Sequence, residues 1–123
     1  MLTSIKINSN KVKSLCCLPN GLLASGTRDG NLMIHNIKSG ALINTFKFHL
    51  STINCISCLN EDLIVTGSND TSIKIWKFEN GDLKQTLTGH SGFVYCICIL
   101  PNGFLASGSD DWYFKALLNN WKL

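Results

Sequence analysis

The chain has 123 residues, 45% of them apolar and 15% charged, with a formal net charge of +3. That length and composition specify one domain's worth of chain with a buried core and exclude a disordered tail. The basic balance, densest at Lys6, Lys11 and Lys13, is too thin for a clustered nucleic-acid footprint, and the apolar run "VYCICIL" (94–100) is far short of a membrane span.

The opening "MLTSIKINSN" is too polar for the apolar region of a signal peptide, so an intracellular protein, cytoplasmic or nuclear, is expected. Residues 2–8, "LTSIKIN", align with 43–49, "INTFKFH", at a shift of 41. Residues 10–37, "NKVKSLCCLPNGLLASGTRDGNLMIHNI", open the first period.

The second period shows its strands most plainly. "TINCISCL" (52–59) is apolar and β-branched; "DLIVTGS" (62–68) follows the polar turn "NED"; "TSIKIWKF" (71–78) alternates, with Ile73 and Ile75 on one side and Lys74 and Trp76 on the other. "ENGD" (79–82) is an Asn-Gly hairpin turn, and "LKQTLT" (83–88) is a fourth strand. The third period runs from "GHSGFVYCICILPNGFLASGSDDWYFK" (89–115) to a closing strand, "YFKALL" (113–118), and "NNWKL". No capped helical pattern appears.

The period itself is exact in register. Gly26, Gly67 and Gly108 are 41 residues apart, as are Asp29, Asp70 and Asp111. The sets Val12, Ile53, Val94 and Ser25, Thr66, Ser107 keep the same spacing. A four-stranded meander cannot bury both faces alone, so neighbouring copies must stack.

Six cysteines raise the question of zinc or disulfides. Cys55 and Cys58 point to opposite faces of a strand, and the runs "INCISCL" and "VYCICIL" are not turns on which metal ligands converge. Reduced cysteine acting as a small buried hydrophobe is expected, with no metal and no cofactor.

Period, strand count and motif together resemble the WD40 repeats of β-propeller proteins. The resemblance implies an all-β fold of WD40-like blades, each a four-stranded antiparallel meander, in a three-blade partial or half propeller. The whole chain, 1–123, is one repeat region: 1–8 a fourth strand, 9–48 the first repeat, 49–89 the second, and 90–123 an incomplete third.

In that family a His, a Ser or Thr, an Asp and a Trp form a hydrogen-bonded network within a blade. His49, Thr66, Asp70 and Trp76 fill all four positions. The third repeat keeps His90, Ser107 and Asp111 with Leu117 for Trp. The first keeps Ser25 and Asp29, with Asn8 for His and His35 for Trp. A set that recurs once per blade is structural, and no nucleophile elbow, zinc-protease or phosphate-loop motif is present. No enzyme is expected. Of the neighbours Asp110 and Asp111, one is expected in the network and one in solvent.

Partner-contacting positions of the family, carried over residue by residue, are Lys11, Thr52 and Phe93; Lys13, Asn54 and Tyr95; and Arg28, Asn69 and Asp110. Phe93 and Tyr95 flank Val94 and project away from the core, as partner contacts or as packing against a neighbouring blade. Trp112, on a turn, is a further candidate.

Propellers close with 4–8 blades, so three leave open faces and edges. The sequence therefore suits a piece or degenerate relative of a longer propeller, to which the irregular "DWYFKALLNNWKL" points. Alternatively, it is a structural half-propeller that completes a ring with itself or another WD40 chain, or it is an open adhesive arc. The functional expectation is a protein-protein or peptide-binding scaffold, such as an adaptor in ubiquitin-ligase, signalling or RNA-processing assemblies. No membrane partner is expected. An RNA-associated role is the most distant reading and requires salt-dependent binding.

Overall fold

Three antiparallel meanders stand side by side in the computed structural model, one per 41-residue period. The structure describes residues 4–7 and 11–117. The first sheet holds β1 (Val12–Leu18), β2 (Leu22–Thr27), β3 (Asn31–Asn36) and β4 (Leu42–Lys47), in that order. The second holds β5 (Ile53–Cys58), β6 (Leu63–Ser68), β7 (Ile73–Lys77) and β8 (Asp82–Leu87). The third holds β9 (Val94–Ile99), β10 (Leu105–Ser109) and β11 (Phe114–Leu117). These are blades of a β-propeller, with β5 lying beside both β1 and β9.

Local chemistry sets the corners. The two Pro-Asn-Gly segments, Pro19–Gly21 and Pro101–Gly103, form single 3₁₀ turns between first and second strands. In the second blade Asn60 does this work: its side-chain oxygen accepts the N–H groups of Asp62 (2.8 Å) and Leu63 (2.9 Å).

The core lies between the sheets. Leu32, Ile34 and Phe48 of the first blade pack with Ile53, Ile56, Ile64 and Trp76 of the second. Val65, Ile73 and Ile75 of the second pack with Val94 and Leu105 of the third. Each such side chain, fully buried, contributes about 1.5–3 kcal/mol, which is why the stacked arc holds where a single meander would not.

The repeated glycine has a steric cause. A Cβ on Gly67 would lie 2.7 Å from the Cys55 sulfur, and one on Gly108 would lie 2.8 Å from the Cys96 sulfur. Ser14 occupies the same place over Gly26. The first-strand side chain rests on the second-strand backbone, and only glycine leaves it room.

Two expectations need correction. Residues 4–7 form no strand, because the ladder neighbour an outer strand requires is absent among the described residues; the rest of the expected strand, Met1–Thr3 and Asn8, lies outside them. The alternation along β7 holds: Trp76 faces the first blade with Lys74, whose ammonium lies 5.7 Å from its ring, and Ile73 and Ile75 face the third. The cysteines are not deeply buried. Cys17, Cys96 and Cys98 are exposed and Cys16, Cys55 and Cys58 half-buried, since they ride on β1, β5 and β9 at the open inner side of the arc. Burial still pushes the Cys55 thiol up to about 12.

Candidate functional site

A buried polar chain crosses the second blade. Asp70, in the β6–β7 turn, accepts from His49 Nδ1 at 2.8 Å; His49 Nε2 lies 2.7 Å from the Thr66 hydroxyl; the Trp76 indole N–H donates to that hydroxyl at 3.1 Å. The carboxylate assigns the imidazole proton to Nδ1, so Nε2 accepts from Thr66. Burial lowers the His49 pKa more strongly than Asp70 raises it, which keeps the ring neutral.

Burial acts most strongly on Asp70 and raises its pKa. The Ser72 hydroxyl, the Ser72 N–H and His49 together outweigh that effect and hold the carboxyl below its ordinary value. Asp70 also accepts the Leu50 N–H at 3.2 Å. The assembly ties the start of the blade to its second and third strands.

The third blade repeats the geometry without an indole. His90 Nδ1 is 2.8 Å from Asp111 Oδ2, and His90 Nε2 is 2.7 Å from Ser107 Oγ. Asp111 sits at about 2: burial raises it, and His90 with the Tyr113 and Ser91 N–H groups lowers it further. Asp110 is exposed. Where Trp76 fills space in the second blade, a cavity of about 160 Å³ lies among Leu87, Thr88, His90, Leu105 and Ser107.

The first blade departs from the pattern. Ser25 is buried and its hydroxyl has no hydrogen-bond partner among the described residues. Asp29 accepts from the Thr27 hydroxyl and the Asn31 amide, as Asp70 accepts from Ser72 one period after Asn31. Asn8 and the end of the chain after Leu117 lie outside the described residues, and His35 is buried at the Trp position.

A second constellation is a groove of about 230 Å³ that spans all three blades. Lys13 and Arg28 come from the first, Thr52, Asn54 and Asn69 from the second, and Phe93 and Tyr95 from the third. Thr52 donates to the Arg28 carbonyl at 2.8 Å, and Asn54 donates to the Asn69 side chain at 2.6 Å and to the Val94 carbonyl at 2.9 Å. The bonds from Thr52 to Arg28 and from Asn54 to Val94 cross the blade boundaries and fix the floor. Phe93 and Tyr95 stand on the third-blade side, edge to face, with centroids 6.1 Å apart and planes at 79°. Both are exposed, as are Lys13 and Arg28.

A family model described as WD domain, G-beta repeat matches residues 2–36, 40–77 and 81–115. The chain belongs to the WD40 family. Among solved structures it is similar to the crystal structure of the computationally designed Ika4 protein, with a TM-score of 0.80 and 22% identity over 92% of this chain and 69% of that one. That likeness concerns the fold. A comparison with curated protein sequences finds no match.

WD40 repeats generally build non-catalytic scaffolds that bind other proteins. Of the nine positions expected on the partner-binding face, the groove gathers seven. Lys11 and Asp110 sit outside its lining; their neighbours hold the rim through the bonds from Arg28 N–H to the Lys11 carbonyl and from Asp110 N–H to the Phe93 carbonyl. Trp112 is outside the groove and almost wholly exposed.

Two contributors went unnoticed in the sequence. Ser72 donates to Asp70 at 2.6 Å, and Ser68 accepts the Asp70 N–H at 3.1 Å. Ser68 carried a signal, because Thr27 and Ser109 occupy the same place one period away on either side.

Proposed function

We propose that this chain is a non-catalytic interaction scaffold that holds a protein or peptide partner in the groove across its three blades. One observation carries the reading: seven residues scattered from position 13 to position 95 converge on a single concave surface. Thr52 and Asn54 use their donors on the fold, so partner contacts fall to Lys13, Arg28, Phe93 and Tyr95. Exposed aromatics next to an arginine match the composition of interface hot spots. Two cations facing an aromatic pair favour an extended peptide with a carboxylate and an apolar side chain.

The Ser-His-Asp sets serve this function by fixing the turns behind the groove. The Thr66 hydroxyl is capped by an indole and Ser107 is buried, so neither is presented as a nucleophile.

The test is a selection from a randomised peptide display library, run in parallel on the chain and on its Phe93→Ala/Tyr95→Ala variant. Enrichment of acidic, apolar-containing peptides on the first and none on the folded variant is expected. Equal enrichment on both, or none on either, contradicts the reading.

A further inference from the structure

Two apolar surfaces stand open at opposite ends of the arc. Val12 is 42% exposed, while its counterparts one and two periods on, Ile53 and Val94, are 0% exposed. Phe114 is 81% exposed, while its counterparts Leu32 and Ile73 are at 0% and 8%. Leu32 shares a core with Ile53, and Ile73 shares one with Val94. Phe114 and Val12 are thus two halves of a junction that the chain makes twice internally.

Residues 4–7 carry the same message. Ile5 and Ile7 stand one period before Phe46 and Phe48. Phe46 crowds the place of a Cβ on Gly81, at 2.6 Å, and Phe48 stacks on Trp76. Ile5 correspondingly lies over Gly40, one period before Gly81, and Ile5 and Ile7 line a cavity with Val12, Leu23 and His35. The segment sits on the first blade as β4 and the residue after it sit on the second. It holds the outer-strand place of a blade standing before the first.

The edge that such a strand requires is offered by β11, the outer strand of the third sheet and unpaired on that side among the described residues. In the second sheet Ile73 pairs with Leu87 and Lys74 with Thr86. The same register pairs Phe114 with Ile5 and Lys115 with Ser4. Three blades are too few to bring both ends of one copy together, whereas six lie within the range that closes.

We propose that a second copy of this chain covers both ends: residues 4–7 of each copy pair with β11 of the other, Phe114 packs on Val12 and Leu23 of the other copy, and two such junctions close a six-bladed ring. A head-to-tail contact that closes in this way covers the outer edge of β11 and the apolar end faces of both copies.

The experiment is light scattering during size exclusion of the 123-residue chain, with two variants. The chain is expected at twice its own mass. Phe114→Asp, which changes a side chain exposed in a single copy, is expected at half that mass with an unchanged circular dichroism spectrum. Ser4→Cys/Lys115→Cys is expected to cross-link two copies on oxidation, and neither single variant does so. A monomeric chain overturns the proposal, as do open-ended assemblies. A dimer that survives Phe114→Asp, or one that the cysteine pair fails to cross-link between copies, overturns it as well.

Discussion

Phe48 of the first blade lies flat on Trp76 of the second, with ring centroids 3.4 Å and planes 8° apart, while the Trp76 indole reaches past it to the Thr66 hydroxyl. One side chain thereby serves both the apolar junction and the buried polar chain. Trp76→Ala removes both and should cost about 3–5 kcal/mol in urea unfolding followed by circular dichroism. Trp76→Phe keeps a ring for Phe48 and loses only the N–H donor, so it should cost about 1–2 kcal/mol. Equal losses from the two variants would mean that packing plays no separate part.

The second junction is built more loosely. One period after Phe48 and Trp76 stand Gly89 and Leu117, and the cavity beside His90 opens there. Local stability follows buried apolar contact. Amides of β9–β11 should therefore exchange with deuterium faster than those of β5–β7. Equal protection of the two sheets would contradict this order.

Stability should fall in two steps as pH drops. Burial holds His49 below its ordinary 6.5, so the unfolded chain binds the extra proton; the stability this provides is complete above about 6.5 and is lost as pH falls from there. Asp70 and Asp111 are also lowered, Asp111 to about 2, so their contributions are complete above about 4 and are lost on the way down to about 2. The urea midpoint should decline below about 6.5 and again below about 4. His49→Gln should flatten the upper step. A midpoint constant between pH 7 and 5 would refute the assignment of a neutral, buried imidazole.

Trp112 holds a left-handed backbone, φ 77°, at the position where the first blade has Gly30, φ 86°. The second blade has Thr71 there, φ 76°. A non-glycine residue in that conformation costs about 1–2 kcal/mol. Trp112 is also 96% exposed, so no packing offsets the strain. Trp112→Gly should raise stability by about 1 kcal/mol in the same urea assay. A loss would show that the indole makes a contact that holds the turn.

The period made most of this legible in advance. Gly67 and Asp70 announce their roles because Gly26, Gly108, Asp29 and Asp111 repeat them, and strand bounds follow from β-branched runs between polar turns. What stayed hidden depends on neighbours across space. The cysteines look like core residues until β1, β5 and β9 are placed on the open inner side of the arc. Ser25, whose hydroxyl has no partner among the described residues, looks like its counterpart Thr66 in the sequence; Thr66 is held by His49 and Trp76, where the first blade's sequence has Asn8 and His35. For the groove, the repeat told which positions correspond, while only the stacking of three blades brings Arg28, Asn54 and Tyr95 to one surface.

The most direct test of the scaffold reading is a calorimetric titration of a peptide enriched on the chain, repeated with Arg28→Ala and with Tyr95→Ala. Both side chains are exposed, so folding should be unchanged, and each substitution should weaken binding at least about tenfold, the scale of an interface hot spot. Affinity unchanged in both variants would place the partner elsewhere and contradict the central claim.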